Sequence, residues 1–344
     1  MPTPSRPDKS LVVRLAAPAR LAAPALLAAS VVLLAACGQG SSGLTGTSGG
    51  RPPGADRVSA RGGPGPSSPP PSVAPSSTTT TTTVPAQPGW DVLASEPSGV
   101  AVDGRTVTVP DGTTVRIIRF RAGQVHFDLH VGTEDPPVGS AVLPADAQAA
   151  VGGTEAPSLL AAFNGGFKVT AGAGGVEVGG QVLTALQPGL ASFVIDAAGH
   201  GSIGVWGQPG FRSPGTQVAS VRQNLAPLVS GGAPVPQASD WTAWGATLGG
   251  GANVARSALG EDAAGDLLYA ASMSTVPIDL ADALVASGAV VAMQLDINPE
   301  WVQADVAPTP GGPLSAEVPG QNRPADQYQS GWTRDFVTVL ALTG

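Results

Sequence analysis

The sequence predicts an α+β domain, a mixed β-sheet with flanking helices, set behind an export signal and a disordered linker. Three observations predict it. Apolar and polar residues alternate with period two in several segments beyond about residue 90, one later segment has helical periodicity, and strands outnumber helices without alternating with them regularly.

The first quarter of the chain differs from the rest. Arg6, Lys9, Arg14 and Arg20 precede an apolar run from Leu21 to Ala36. A positive segment followed by a short apolar run is a secretory signal, here residues 1–36. It ends in Leu34-Ala35-Ala36-Cys37-Gly38, which resembles the bacterial lipobox. The resemblance implies that the Cys37 sulfur takes a diacylglycerol and becomes the new N-terminus. Acyl chains contribute about 0.8 kcal/mol per buried CH₂, so the anchor would hold the protein on the outer face of the cell membrane without a spanning helix.

Residues 37–89 contain Pro-Pro runs, Ser clusters and the tract Thr78–Thr83, with few large apolar side chains. Such a segment cannot offset its ordering entropy by burial, which predicts a disordered tether. Residues 90–344 remain, enough for one sizeable core.

The net charge is -8 and the basic residues are scattered, so nothing tracks a phosphate backbone and nucleic acid is not an expected partner. The single cysteine excludes an intramolecular disulfide and a structural thiolate zinc site.

Within the domain, Arg105–Val109 and Val125–Val131 alternate as half-buried strands, with Asp111-Gly112 between them as a turn. Ala145–Ala150 and Ser158–Ala162 read as helix fragments, ahead of a Gly-rich loop that begins at Phe163. Ala191–Ile195, Ile203–Trp206, Ser257–Gly260 and Leu267–Ala271 read as strands. Ile278–Ala286 is the clearest helix: its apolar residues share one face, Asp279 and Asp282 sit early, and Gly288 follows the end. Val290–Leu295 is a buried strand, and Asp335–Leu342 closes the chain as another.

Asn164-Gly165-Gly166-Phe167 is a tight backbone feature, because paired glycines allow close approach and the Asn amide both donates and accepts. Gly172–Gly180 lacks the dinucleotide-binding spacing and reads as a flexible loop. His126, Asp128 and His130 fall on one face of a strand, where they could grip a metal, although solvent exposure is the commoner meaning of that pattern. No G-x-S-x-G is present from residue 90 onward, the one instance, Gly46–Gly50, lying in the linker, which disfavours serine hydrolase chemistry. Arg256 could clamp an anionic oxygen, and Asp296 stands at the end of an apolar strand, where a carboxylate is presented at a sheet edge rather than buried in its middle.

Taken in order, Ala162-Phe163-Asn164-Gly165-Gly166-Phe167, Arg222-Gln223-Asn224-Leu225, Trp244-Gly245, Arg256-Ser257-Ala258-Leu259-Gly260 and Ala292-Met293-Gln294-Leu295-Asp296 resemble the phosphodiester glycosidase family. The resemblance runs from about Val115 to the C-terminus. It implies a hydrolase that releases a sugar from a phosphodiester, with Asn164, Gly165, Gly166, Arg256 and Asp296 converging on one site. Its substrate would be a phosphodiester-linked sugar or a cell-wall glycan.

One departure stands out. The family continues the Asp with glycines and a Ser, whereas Asp296 here is followed by Ile297-Asn298-Pro299-Glu300-Trp301. Pro299 removes an N–H donor and Ile297 adds bulk. In compensation, Glu300 would join Asp296 in acid/base work and Trp301 would stack on a sugar ring. No cofactor is expected, a divalent cation remaining an option. The other reading of the same loop is an envelope protein that binds glycan without turning it over.

Overall fold

The computed structural model describes residues 84–209, 211, 217–245 and 247–342. The export signal, Cys37 and the tether as far as residue 83 lie outside the described residues.

The domain is mainly β rather than α+β. Three sheets make it up, every paired strand in them is antiparallel, and the described residues hold only two α-helices, Pro277–Ala286 and the single turn Gln327–Ser330. The mixed sheet with flanking helices is therefore incorrect, and the largest source of the error is Ser158–Ala162. That apolar run belongs to the strand Leu159–Asn164, all six of whose residues are buried. A strand covered on both faces shows no period-two alternation, so its sequence cannot be told from a buried helix. Ala145–Ala150 contributes one 3₁₀ turn, Ala145–Ala147.

The eight-stranded sheet runs in the order Asp91–Glu96, Gly99–Thr108, Thr114–Phe120, Leu267–Thr275, Val254–Asp262, Ala289–Gln294, Pro227–Ser230, Ala233–Pro234. A five-stranded sheet contains Val218–Gln223 between Val176–Val178 and Ala191–Asp196. In the other, Phe336–Ala341 lies between Leu159–Asn164 and Val125–His130. At the N-terminal edge Val84 bridges to Gly99, and the Trp90 ring is covered by the Arg119 guanidinium at 3.7 Å.

One core joins the three sheets. Phe120 of the large sheet stacks on Phe163 at 5.5 Å, and Phe127 meets Phe193 edge-on at 6.0 Å, so aromatic contacts cross both sheet boundaries. The helix Pro277–Ala286 covers the other face of the large sheet, burying Leu280, Ala281 and Leu284 against residues such as Ile117 and Leu268. Its start follows the expected chemistry: Pro277 occupies the first turn and the Asp279 carboxylate accepts the Val276 N–H at 3.3 Å.

Among the described residues no helix is long and apolar enough to cross a membrane.

Candidate functional site

Three strand ends, one from each sheet, deliver the motif residues to a common junction. Buried polar contacts rivet each pair of sheets there. Asn164, ending its strand, donates from Nδ2 to Ser257 Oγ at 2.9 Å. Asn224, just past Gln223, donates to the Gln294 and Leu295 carbonyls, both at 2.7 Å. Arg222 donates from Nε to Asp335 Oδ2 at 2.7 Å and also reaches the Phe167 carbonyl. Buried polar groups with every partner in place fix the relative positions of the elements that bear them.

Against this junction lies a cavity of about 690 Å³. Asp296, Ile297, Asn298 and Trp301 form one side of it, Phe167 and Lys168 another. Asp296 is 2% exposed, and its Oδ1 accepts the N–H groups of Ile297 at 2.7 Å and Asn298 at 2.8 Å. Oδ2 lies 3.6 Å from Arg334 Nη2. Burial outweighs those hydrogen bonds and the nearby guanidinium, so the Asp296 carboxyl is pushed up to about 7.

Arg334 is the organising cation. Its Nη2 donates to the Gly166 carbonyl at 2.7 Å and lies 3.6 Å from Asp296, 3.7 Å from Asp135 and 3.9 Å from Asp335. The same guanidinium covers the Trp301 ring at 4.3 Å, and Lys168 Nζ lies 5.2 Å from that ring. Asp135 in turn accepts the Val169 N–H at 3.3 Å, tying the loop after Lys168 to the cluster. Burial raises the Asp135 carboxyl, partly offset by Arg334.

The sequence-predicted residues meet different fates. Asp296 and Trp301 line the cavity. Asn164 does not: its Oδ1 accepts from Tyr269 Oη at 2.8 Å and Gln303 N at 3.2 Å, which leaves the amide spent on structure. Gly165 and Gly166 donate their N–H groups to Asp335, and a Cβ on either would collide with the Asp335 carboxyl or crowd the Arg222 guanidinium. Their smallness serves close backbone approach.

Arg256 is fully buried, with its donors on the Thr275, Trp244 and Ala252 carbonyls and on Gln294 Oε1. It pins the loop that carries Gly245 and Thr247 to the cavity rim. Burial lowers its pKa to about 10, which still leaves it charged at neutral pH. Glu300 is exposed, paired with Arg323 at 2.7 Å and accepting from Asn322 at 2.9 Å.

The loop after Asp296 offers no backbone donor to an anion. The Asp296 N–H goes to Ser257 Oγ, those of Ile297 and Asn298 to the Asp296 carboxylate, and those of Glu300, Trp301 and Val302 to Asn298. Pro299 has none. This loop can therefore meet an anion only with side chains, and Lys168 is a cation that lines the cavity.

Sequence reasoning missed Lys168, Arg334 and Asp335. A signal existed for the first: the chain has only two lysines, Lys9 in the leader and Lys168 directly after Asn164-Gly165-Gly166-Phe167.

The His126, Asp128, His130 face does not assemble as a ligand set. His130 is buried, stacked on Phe336 at 4.3 Å; its Nδ1 donates to the Gln148 carbonyl at 2.6 Å and its Nε2 lies 3.0 Å from Glu155. Among the described residues no group of three or more His, Cys, Asp or Glu side chains is arranged to hold a metal. Asp128 is raised to about 7, chiefly by burial and then by Asp146 and Glu155.

No protein-family model and no curated protein matches the chain. Solved structures do. The catalytic domain of zebrafish N-acetylglucosamine-1-phosphodiester alpha-N-acetylglucosaminidase, auto-inhibited by its pro-peptide, aligns with 74% of this chain and 88% of its own at 14% identity, with a TM-score of 0.45. A hypothetical protein from Synechocystis aligns with 70% of this chain and 62% of its own, also at 14% identity, with a TM-score of 0.39. Likeness at this level says nothing about chemistry, which rests on the side chains around Asp296.

Proposed function

We propose that the protein is an exported, lipid-anchored hydrolase that releases a sugar from a phosphodiester-linked glycan. The observation behind the proposal is Asp296: a buried carboxyl with a pKa near 7 lines a cavity that also presents an ammonium, on Lys168, and an indole, on Trp301. A carboxyl poised near the working pH exchanges protons efficiently, and perturbed carboxyls in clefts mark candidate catalytic groups. The ordered motifs ending at Asp296 agree with that reading.

In the reaction, the sugar C1–O bond breaks, water supplies the new C1 hydroxyl, and the phosphomonoester departs with the electron pair. The departing phosphate is already anionic and needs little protonation. Asp296 therefore serves best as the base that takes a proton from the attacking water, with Lys168 balancing the phosphate charge and Trp301 stacking on the sugar. Glu300, engaged with Arg323 and Asn322, has no part in this scheme. The test is sugar release from sugar-1-phosphodiesters by the wild-type protein and by Asp296→Asn.

The second reading is a glycan-binding envelope protein without turnover. It is favoured by the loop 296–303, whose backbone donors are all engaged or replaced by proline. Sugar-phosphodiester binding that survives Asp296→Asn, with no sugar release from either form, would select it.

A further inference from the structure

We propose that the alcohol on the far side of the phosphodiester is a hydrocarbon chain rather than a second sugar; the inference rests on the phosphodiester reading of the same cavity. Apart from Asp296, Lys168, Thr170, Thr247 and Asn298 the lining side chains are apolar, Phe167, Leu225, Val254, Met273, Ile297 and Pro299 among them. A sugar has several hydroxyls, and each one buried without a partner is costly. Asn298, Thr170 and Thr247, with Lys168 and Asp296, are enough to serve one sugar and its phosphate. A second polyol against the apolar wall would leave its hydroxyls unpaired, whereas a hydrocarbon chain gains by burial there.

Two backbone features show that the wall is built. Leu225 adopts φ +56°, the only positive value at a non-glycine among the described residues, yet its N–H and C=O are both bonded, to Ala173 at 2.7 Å and Ala191 at 2.8 Å. Such a conformation persists only where its surroundings enforce it. Gly245, at φ +101°, lets the backbone pass between Phe167 and Ile297, where a Cβ would strike both side chains. Substrate and products then balance as sugar–phosphate–alkyl plus water giving free sugar plus an alkyl phosphomonoester.

The product half of this substrate supplies the test. Dissociation constants are measured on the full chain by calorimetry for inorganic phosphate and for methyl, butyl and octyl phosphate, below their micelle concentrations, with Met273→Gln in parallel. The expected result is a two- to fourfold gain in affinity per added methylene along the series, with a shallower gain in Met273→Gln. Equal affinity for methyl and octyl phosphate overturns the inference, as does a chain-length gain that Met273→Gln leaves unaltered. Binding is read without turnover, so the hydrolase reading can fail while this inference stands: alkyl phosphates would bind with the expected slope and no sugar phosphodiester would be cleaved.

Discussion

Arg334 Nη2 lies 3.6 Å from Asp296 Oδ2, close enough to lower the carboxyl but not to overcome its burial, and the outcome is a group that titrates near neutrality. The guanidinium also spans Asp135 and Asp335 and covers Trp301. One buried cation thus moderates the upward shift of Asp296 and packs against the Trp301 ring. Replacing Arg334 by Gln leaves three carboxylates without that charge, a change that typically costs about 3–5 kcal/mol at buried pairs. Arg334→Lys should retain more stability. In both, the Trp301 contribution to fluorescence, taken as the difference from Trp301→Phe, should shift, and in Arg334→Gln the pH limb of sugar release should move above that of the wild type.

Asp296 also links activity to stability. The folded protein holds this proton up to about pH 7, whereas an unfolded chain releases it near pH 4. Between those values the native state binds more protons, so this carboxyl makes stability fall as pH rises. Asp296→Asn removes the effect. The variant should unfold at the same urea concentration as the wild type at pH 4 and at a higher one at pH 8, by on the order of 2–4 kcal/mol. An equal difference at both pH values would contradict the assignment.

Lys168 should govern affinity for the anion without holding the fold together, because its side chain is exposed at the cavity. Lys168→Ala is expected to raise KM about tenfold, in line with ~1.5 kcal/mol for a charge-assisted hydrogen bond, and to flatten the dependence of KM on salt. Lys168→Arg should recover most of the loss. Thermal unfolding of Lys168→Ala should match the wild type.

Gly245 tests the cavity wall. Alanine there faces a positive φ and collides with the Phe167 ring and Ile297 Cδ1, which predicts a loss of about 1–3 kcal/mol. Affinity for the sugar phosphodiester should fall with it. Gly112→Ala, also at a positive φ but in open space, should lose stability without loss of affinity.

The strands and the site were unequally legible. Alternation found Val125–His130 and the helix period found Pro277–Ala286, because each element buries one face. Leu159–Asn164 is covered on both faces, its periodicity vanishes, and it passed for helix. Asp296 was conspicuous as a polar residue at the end of an apolar strand, and it lines the cavity together with Trp301 from the loop that follows. Arg256 stood out as a charged residue ahead of the strand residues Ser257–Gly260, but a buried arginine satisfied by carbonyls looks no different in sequence from one that meets a ligand. Arg334 and Asp335 were hidden because their meaning depends on Arg222, Asp135 and Gly166, residues distant in sequence that only the junction of three sheets brings together. Glu300 shows the converse: near Asp296 in sequence, it turns outward to Arg323.

We propose that Asp296 acts as a base on a sugar phosphodiester bound in the cavity. The most direct test is sugar release from a panel of sugar-1-phosphodiesters between pH 5 and pH 9, by the wild-type chain and by Asp296→Asn. Release should rise through a single limb near pH 7 and fall by at least two orders of magnitude in the variant, consistent with loss of a general base. Release that is insensitive to Asp296→Asn, or no release by the wild type from any member of the panel, would contradict it.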